Sequence, residues 1–413
     1  MSTDSQKDFS AIAAALLYPS NARIGLDGLG IINHAMNTQT DFSRMADRVY
    51  PPNTKSGIDV PGIMNQVASP SPYRGLLGSL GTDDSENGLW SLGQAQNYSN
   101  LSGLLNSVIS PPPIVNQWRY VSKRFTDFQK NISLTVNQMI DGSKKYRGVV
   151  SCLNSAYWGN NSDSLNSFLV GSWAKDTFIR PPRDVDIYFM LPPDVYFRYE
   201  RYGVNVNKQS ALLQEVKGKL NSAYRLSEIR GDGPVVLAKF ESYNVEVVPV
   251  FQLDDFKSYY ICDTKNGGRY LVTKPADEVK AVEEADLRNN KNVRPLIRML
   301  KCWQANCNVP IKSFHLELLA IAFLDQWNYR LQGIECYDWM CRDFFQWMIS
   351  KANTYVVTPG TYEFMFIGDA WKTRAESAYC NAVKACELER LSQMLSAGEA
   401  WQKIYGTFVP RAV

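Results

Sequence analysis

Phe168-Leu169-Val170-Gly171-Ser172-Trp173-Ala174-Lys175-Asp176-Thr177-Phe178-Ile179-Arg180-Pro181-Pro182-Arg183-Asp184-Val185-Asp186-Ile187-Tyr188-Phe189-Met190 reads as an apolar strand, a Gly-Ser turn, a basic loop and a second apolar strand carrying Asp-x-Asp. Strand residues two apart share a face, so Asp184 and Asp186 point one way and Val185 and Ile187 the other. Two carboxylates held side by side repel each other unless a cation lies between them. Carboxylate oxygens suit Mg²⁺. Gly171 and Ser172 offer backbone N–H groups and a hydroxyl to a phosphate. Together these features point to metal-assisted chemistry on a nucleoside triphosphate.

A third acid tests that expectation. The apolar run from Tyr243 to Phe251 carries one acid, Glu246, among Val245, Val247 and Val248. An acid inside such a strand is costly to bury unless it meets a cation. If this strand lies beside the Asp184/Asp186 strand, Glu246 completes a triad. Three carboxylates can hold two Mg²⁺ about 3.5–4 Å apart, one activating a ribose hydroxyl and the other holding the triphosphate and the departing pyrophosphate. The alternative leaves Glu246 facing solvent from an edge strand.

The 413 residues leave room for a sizeable core and two or three domains. Apolar content of 45% with 21% charged residues is that of a soluble globular chain, and a net charge of +3 demands no nucleic-acid partner. The eight cysteines are scattered without a C-x-x-C pair, and His34 and His315 are the only histidines, which argues against a zinc site or a disulfide framework. Reduced thiols in a cytosol are expected. The N-terminal MSTDSQKDFS has no signal pattern. No apolar run approaches the roughly 20 residues that cross a bilayer, so a cytoplasmic protein with no membrane partner is expected.

The fold class expected is α+β, in three parts. Residues 1–113 are rich in Gly, Ser, Asn and Pro, with a helix expected at Asp8–Leu17 and a stiff Pro111-Pro112-Pro113 linker at the end. They form an accessory extension of unknown role, read as a partner-docking or self-association region, or as a loosely folded extension without chemistry. Residues 114–275 form the catalytic core. It starts with two helices over 114–157, broken at Asn131–Thr135, with Ser133 expected to cap the second. A helix over 193–222 with an apolar stripe of Leu212, Leu213, Val216 and Leu220 follows, then a Gly231-Asp232-Gly233-Pro234 turn. Strands over 235–240 and 243–251 are joined by Glu241-Ser242, and a hairpin turns at Asn266-Gly267-Gly268. Residues 276–413 form a helical domain, with helices in 277–306, 313–327, 336–350 and 375–395.

The order Gly171-Ser172, Asp184-x-Asp186, then an acid on a later strand resembles the polymerase-β-type nucleotidyltransferase superfamily. Ile179-Arg180-Pro181-Pro182-Arg183, Val248-Pro249, Lys301-x-Trp303 and Lys312-Ser313-Phe314 narrow the resemblance to the cGAS/DncV-like nucleotidyltransferases, bacterial relatives of animal cGAS and the oligoadenylate synthases. It covers roughly 115–400 and leaves out residues 1–113. The resemblance implies a mixed sheet with a spine helix, followed by a helical domain. It implies that Gly171 and Ser172 bind triphosphate, that Asp184, Asp186 and Glu246 hold two Mg²⁺ or Mn²⁺, and that Lys301 reaches the phosphates. Ser313 adds a hydroxyl contact, and Phe314 takes the place where a family ring stacks on the donor base. Lys175, Arg180 and Arg183 read as phosphate-facing, with an ordinary solvated loop as the alternative. The third acid is usually Asp; Glu246 adds one methylene and moves its carboxylate by about 1.5 Å.

The implied activity joins nucleoside triphosphates into a cyclic or short linear oligonucleotide messenger, read by a product-binding effector in anti-phage signalling. A second enzymatic reading is template-independent synthesis of linear single-stranded DNA from dNTPs, primed on Tyr405 in a tail that reads as flexible; Tyr405 packing the last helix is the alternative. A third reading, motivated by Glu246, is a catalytically weakened scaffold that binds nucleotide, or partners through residues 1–113. The zinc insertion of animal cGAS is absent from the sequence. A tRNA-modifying transferase has no dedicated RNA-binding patch to support it.

Overall fold

Two helices lead into the sheet. The computed structural model describes residues 118–203 and 206–413, so the expected helix at Asp8–Leu17 and the role of residues 1–113 lie outside the described residues. Helix α1 spans Trp118–Ile132 and α2 spans Val136–Tyr157. The break falls where expected, but Thr135, not Ser133, is the cap. The Thr135 hydroxyl accepts the Gln138 N–H while the Gln138 side chain accepts the Thr135 N–H, a reciprocal capping box. The Ser133 hydroxyl instead donates back to the Gln129 carbonyl at 2.7 Å.

The sheet has seven strands: β1 (Ser167–Leu169), β2 (Asp184–Met190), β3 (Glu228–Asp232), β4 (Val235–Lys239), β5 (Asn244–Gln252), β6 (Tyr259–Asp263) and β7 (Arg269–Thr273). Its order is β1-β2-β5-β4-β3, and β6 pairs with both β5 and β7. Only β2 and β5 run parallel, with Asp186 directly opposite Glu246 and Asp184 opposite Asn244. A parallel pair needs a long crossover. Here α4 (Pro193–Glu200), α5 (Lys208–Ala223), β3 and β4 supply it. The expected helix over 193–222 is therefore two helices, and the stripe Leu212, Leu213, Val216 and Leu220 is buried in the sheet's core. Strand β3 was not foreseen because EIRGD carries charge and Gly in place of β-branched residues; pairing with β4 sets its conformation.

Beyond the sheet come α6 (Pro275–Arg288), α7 (Val293–Asn306), α8 (Ser313–Leu324), α9 (Tyr337–Ile349), α10 (Lys372–Arg390) and α11 (Met394–Tyr405), with a short ribbon of β8 (Tyr355–Val357) and β9 (Phe364–Phe366) before α10. The buried apolar residues fall into two clusters, one under the sheet and one among these helices. Val121, Phe125, Phe128 and Ile132 of α1 join the helical cluster, whereas Val149, Val150 and Leu153 of α2 join the sheet's. Among the described residues no helix is long and apolar enough to cross a membrane.

The C-terminal tail is tied down rather than flexible. Buried Arg124 of α1 donates to Glu389 at 2.6 Å, to the Met394 carbonyl at 2.8 Å, and to the carbonyls of Pro410 and Arg411. Asn131 donates to the Phe408 carbonyl at 2.9 Å. Tyr405 is wholly buried, with its ring 4.9 Å from Phe128 and 6.2 Å from Trp401. Its hydroxyl cannot present itself to a substrate, and the priming role expected for Tyr405 is corrected to core packing. Replacing Arg124 with Met would leave Glu389 buried without its cation, so Arg124→Met should lose about 3–5 kcal/mol in urea unfolding of the full chain. A loss below about 1 kcal/mol would remove this anchor from the account of the tail.

Candidate active site

The close approach of two strands explains the glycine that opens the site. The Val170 N–H donates to the Asp186 carbonyl at 3.0 Å, so β1 delivers the chain onto the Asp strand. The expected Gly-Ser turn is the start of a five-residue helix, α3 (Gly171–Lys175). Gly171 has φ of +58°, and a Cβ there would overlap the Asp186 carboxylate. Only glycine combines that backbone with that neighbour. Trp173 locks the far side, its indole N–H donating to the Asp184 carbonyl at 3.0 Å.

A cleft of about 370 Å³ opens between the sheet and the helices. Gly171, Ser172, Lys175, Arg183, Asp184 and Asp186 line one side, and Lys301, Ser313 and Phe314 the other. The structure thus brings together motifs far apart in the chain. Glu246 does not line the cleft, although it pairs with Asp186 and shares its face of the sheet. Among the described residues no group of three or more His, Cys, Asp or Glu side chains converges to hold a metal ion. The aspartates are therefore in place, while Glu246 stands behind them, against Asp186.

Burial, then the adjacent Asp184, pushes the Asp186 carboxyl up to about 6; Lys301, a hydrogen bond with Glu246 and Lys175 pull the other way. The aspartate pair is short of positive charge, which is the environment a divalent cation satisfies. Asn244, opposite Asp184 in register, donates to its Oδ1 at 2.8 Å and orients it.

The lysines are held by acids the sequence reading did not single out. Lys175 pairs with Glu278 and with Glu317, each at 3.0 Å, and its ammonium lies over the Phe314 ring, 4.5 Å from the centroid. One face of Phe314 is thus covered by a cation. Lys301 pairs with Glu317 at 2.7 Å and donates to the Thr177 hydroxyl at 2.9 Å. Burial would lower the Lys175 ammonium, but Glu317 and Glu278 outweigh it and hold it above its ordinary range. Burial pulls Lys301 down, with Glu317 opposing. Glu317 is itself held below the usual carboxylate range, since Lys301 and Lys175 overcome its burial. A signal for Glu317 existed: it is the lone acid in the apolar run SFHLELLAIAFL, the same anomaly that marked Glu246. Nothing comparable marks Asn244, Thr177 or Glu278.

Ser313 is the first residue of α8, and its hydroxyl donates to Gln304 at 2.8 Å; Lys312 occupies the cap position. Arg183 is exposed at the mouth and makes no ion pair among the described residues. Arg180 is half-buried and does not line the cleft.

Residues 120–286 match the SMODS family, the Second Messenger Oligonucleotide or Dinucleotide Synthetase domain. A probable cyclic nucleotide synthase of Bacillus cereus is 24% identical over 275 residues, 58% of this chain and 81% of that protein. The CBASS oligonucleotide cyclase CdnC of Escherichia coli is 28% identical over 220 residues, 52% of this chain and 67% of that protein. Among solved structures, CdnG of Bradyrhizobium diazoefficiens in complex with GTP superimposes with a TM-score of 0.52 at 13% identity, over 70% of this chain and 96% of that one. CdnC of E. coli MS115-1 in its HORMA-deltaN complex gives 0.50 at 17% identity, over 70% and 97%. The polymerase-β-like fold is thereby shared. By its SMODS match over residues 120–286 and its relatives, the chain is similar to the cGAS/DncV-like nucleotidyltransferases, whose fold it shares.

Proposed function

We propose that this protein joins nucleoside triphosphates into a cyclic oligonucleotide messenger, with release of pyrophosphate, in CBASS-type anti-phage signalling. One observation carries the reading. The cleft gathers an aspartate pair, Gly171-Ser172 and Lys175 on one side, with Lys301 on the other. The names of the Bacillus and Escherichia relatives support the product class. A product-binding effector would be the partner, and the cytoplasm the compartment.

In each joining step a ribose hydroxyl attacks the α-phosphorus of a triphosphate. The bond to the bridging oxygen breaks, pyrophosphate departs and the hydroxyl proton is lost. Asp184 and Asp186 would hold Mg²⁺ or Mn²⁺, with Glu246 backing Asp186 from the neighbouring strand. Such cations, when bound, neutralise the transferring phosphoryl group and acidify the hydroxyl. Gly171 lets the backbone approach the phosphates closely. Lys175 and Lys301 orient the triphosphate, Arg183 draws it to the mouth, and the open face of Phe314 stacks a base.

The reading is tested by incubating the purified chain with each labelled NTP and dNTP plus Mg²⁺ or Mn²⁺. A phosphatase-resistant oligonucleotide should form, and it should vanish in Asp184→Ala/Asp186→Ala. No turnover with any nucleotide would sink the proposal.

Gly171→Ala should cut kcat/KM about 100-fold, because the added methyl displaces the Asp186 carboxylate. Wild-type kinetics in that variant would show that the close approach is unimportant.

The raised Asp186 pKa also predicts a stability signature. Between about pH 4 and 6 the folded protein keeps a proton on Asp186 that the unfolded chain has lost. Metal-free stability therefore falls as pH rises through that window, by on the order of 3 kcal/mol. Asp186→Asn should raise the metal-free Tm at pH 8 and abolish the Tm increase produced by Mg²⁺. A lower Tm for Asp186→Asn than for the wild type, both in EDTA at pH 8, would contradict the electrostatic account.

A further inference from the structure

Two lysines of the cleft share one carboxylate. Glu317 lies in the second turn of α8, and its side chain is 5% exposed. Its Oε2 accepts from Lys175 at 3.0 Å, and its Oε1 accepts from Lys301 at 2.7 Å and from the Thr177 hydroxyl at 3.3 Å. Lys175 ends α3, three residues after Ser172; Lys301 lies on α7. A carboxylate that engages both ammoniums, one on each oxygen, fixes their spacing. Without it, two buried cations would face each other and repel.

Glu278 has a different character. It lies in the first turn of α6, its side chain is 21% exposed, and it pairs with Lys175. Two ammoniums and two carboxylates leave this end of the cleft neutral. Withdrawal of Glu278 would leave one net positive charge on the clamp, beside the Gly171-Ser172 backbone.

We propose, resting on the nucleotidyl-transfer reading, that Glu317 is the positioning residue that holds Lys175 and Lys301 as a paired phosphate clamp, and that Glu278 is the displaceable partner whose place on Lys175 a nucleotide phosphate takes. Glu317 acts through the lysines and does not touch the reacting atoms. Glu278 moves aside because it is the more solvated of the two carboxylates and loses less on leaving. The Phe314 ring stays beside Lys175 throughout, so phosphate capture and base stacking occur at one end of the cleft.

The test uses the full chain with Mg²⁺, measuring KM and kcat for the nucleotide it uses and the Kd of inorganic tripolyphosphate by calorimetry. Glu317→Gln keeps the shape and removes the charge. It should raise KM and the tripolyphosphate Kd about tenfold or more, while kcat changes less than about threefold. Glu317→Asp should recover part of that affinity. Glu278→Gln, which removes only the charge, should tighten tripolyphosphate about threefold or more. If Glu317→Gln merely lowers the folded fraction and the folded protein keeps its wild-type Kd, the positioning role is overturned. If Glu278→Gln leaves binding unchanged or weakens it, the displacement is overturned. A wild-type chain that binds tripolyphosphate but makes no product would defeat nucleotidyl transfer and leave the clamp standing. Product formation with an unchanged KM in Glu317→Gln would do the reverse.

Discussion

The parallel pairing of β2 with β5 is the constraint on which the rest of the site depends. Every other pairing in the sheet is antiparallel and needs only a short connection. This one requires the chain to leave at Met190, cross through α4, α5, β3 and β4, and return at Asn244 in the same direction. Its register sets Asn244 beside Asp184 and Glu246 beside Asp186. A slip of one residue would turn Glu246 into the apolar core and bring Val245 or Val247 to the acid face. The buried valines on both strands therefore do more than stabilise the sheet. They hold the acids on the opposite face, where polar neighbours and the cleft lie.

The site concentrates charge that the fold would be more stable without. Asp184 and Asp186 crowd each other, and burial with that crowding raises the Asp186 carboxyl to about 6. The lysines of the cleft are buried too, but each meets a carboxylate. The difference is informative. A group with all its partners supplied by the protein is structural or poised, whereas an acid pair whose only nearby compensation is partial is set up for something that arrives from outside. That contrast separates the aspartates from Glu389, whose cation, Arg124, is supplied by the fold and fastens the C-terminal tail.

Much of this was legible in the sequence because it rests on short-range pattern. Strands at 184–190 and 244–252 announce themselves by apolar runs, and the acids by interrupting them. The stripe on α5 follows from helical periodicity. What failed did so for identifiable reasons. Ser133 and Thr135 are both acceptable caps, and only the Gln138 partner decides between them. Tyr405 looked available because it sits eight residues from the end; Arg124 and Asn131, far away in the chain, anchor that end. The ribbon of β8 and β9 is three residues per strand, too short for alternation to show. Glu278 and Thr177 carry no local signal at all, since their importance lies in what Lys175 and Lys301 reach once the sheet and helices meet.

That meeting is itself polar, which bears on how the cleft works. The two apolar clusters are distinct, with α1 packed into one and α2 into the other. Between them, along the cleft, the contacts are Lys175 with Glu278 and Glu317, and Lys301 with Thr177 and Glu317. An apolar seam would gain from closing completely and would leave no room for a charged substrate. A seam of ion pairs is different in kind. The bond from Lys175 to Glu278 is one that a phosphate oxygen can replace with comparable geometry, so binding exchanges a partner without breaking a core. The fold thus places its exchangeable contact, Glu278 on Lys175, at the substrate's position and its permanent ones in Glu317 and in the two clusters on either side.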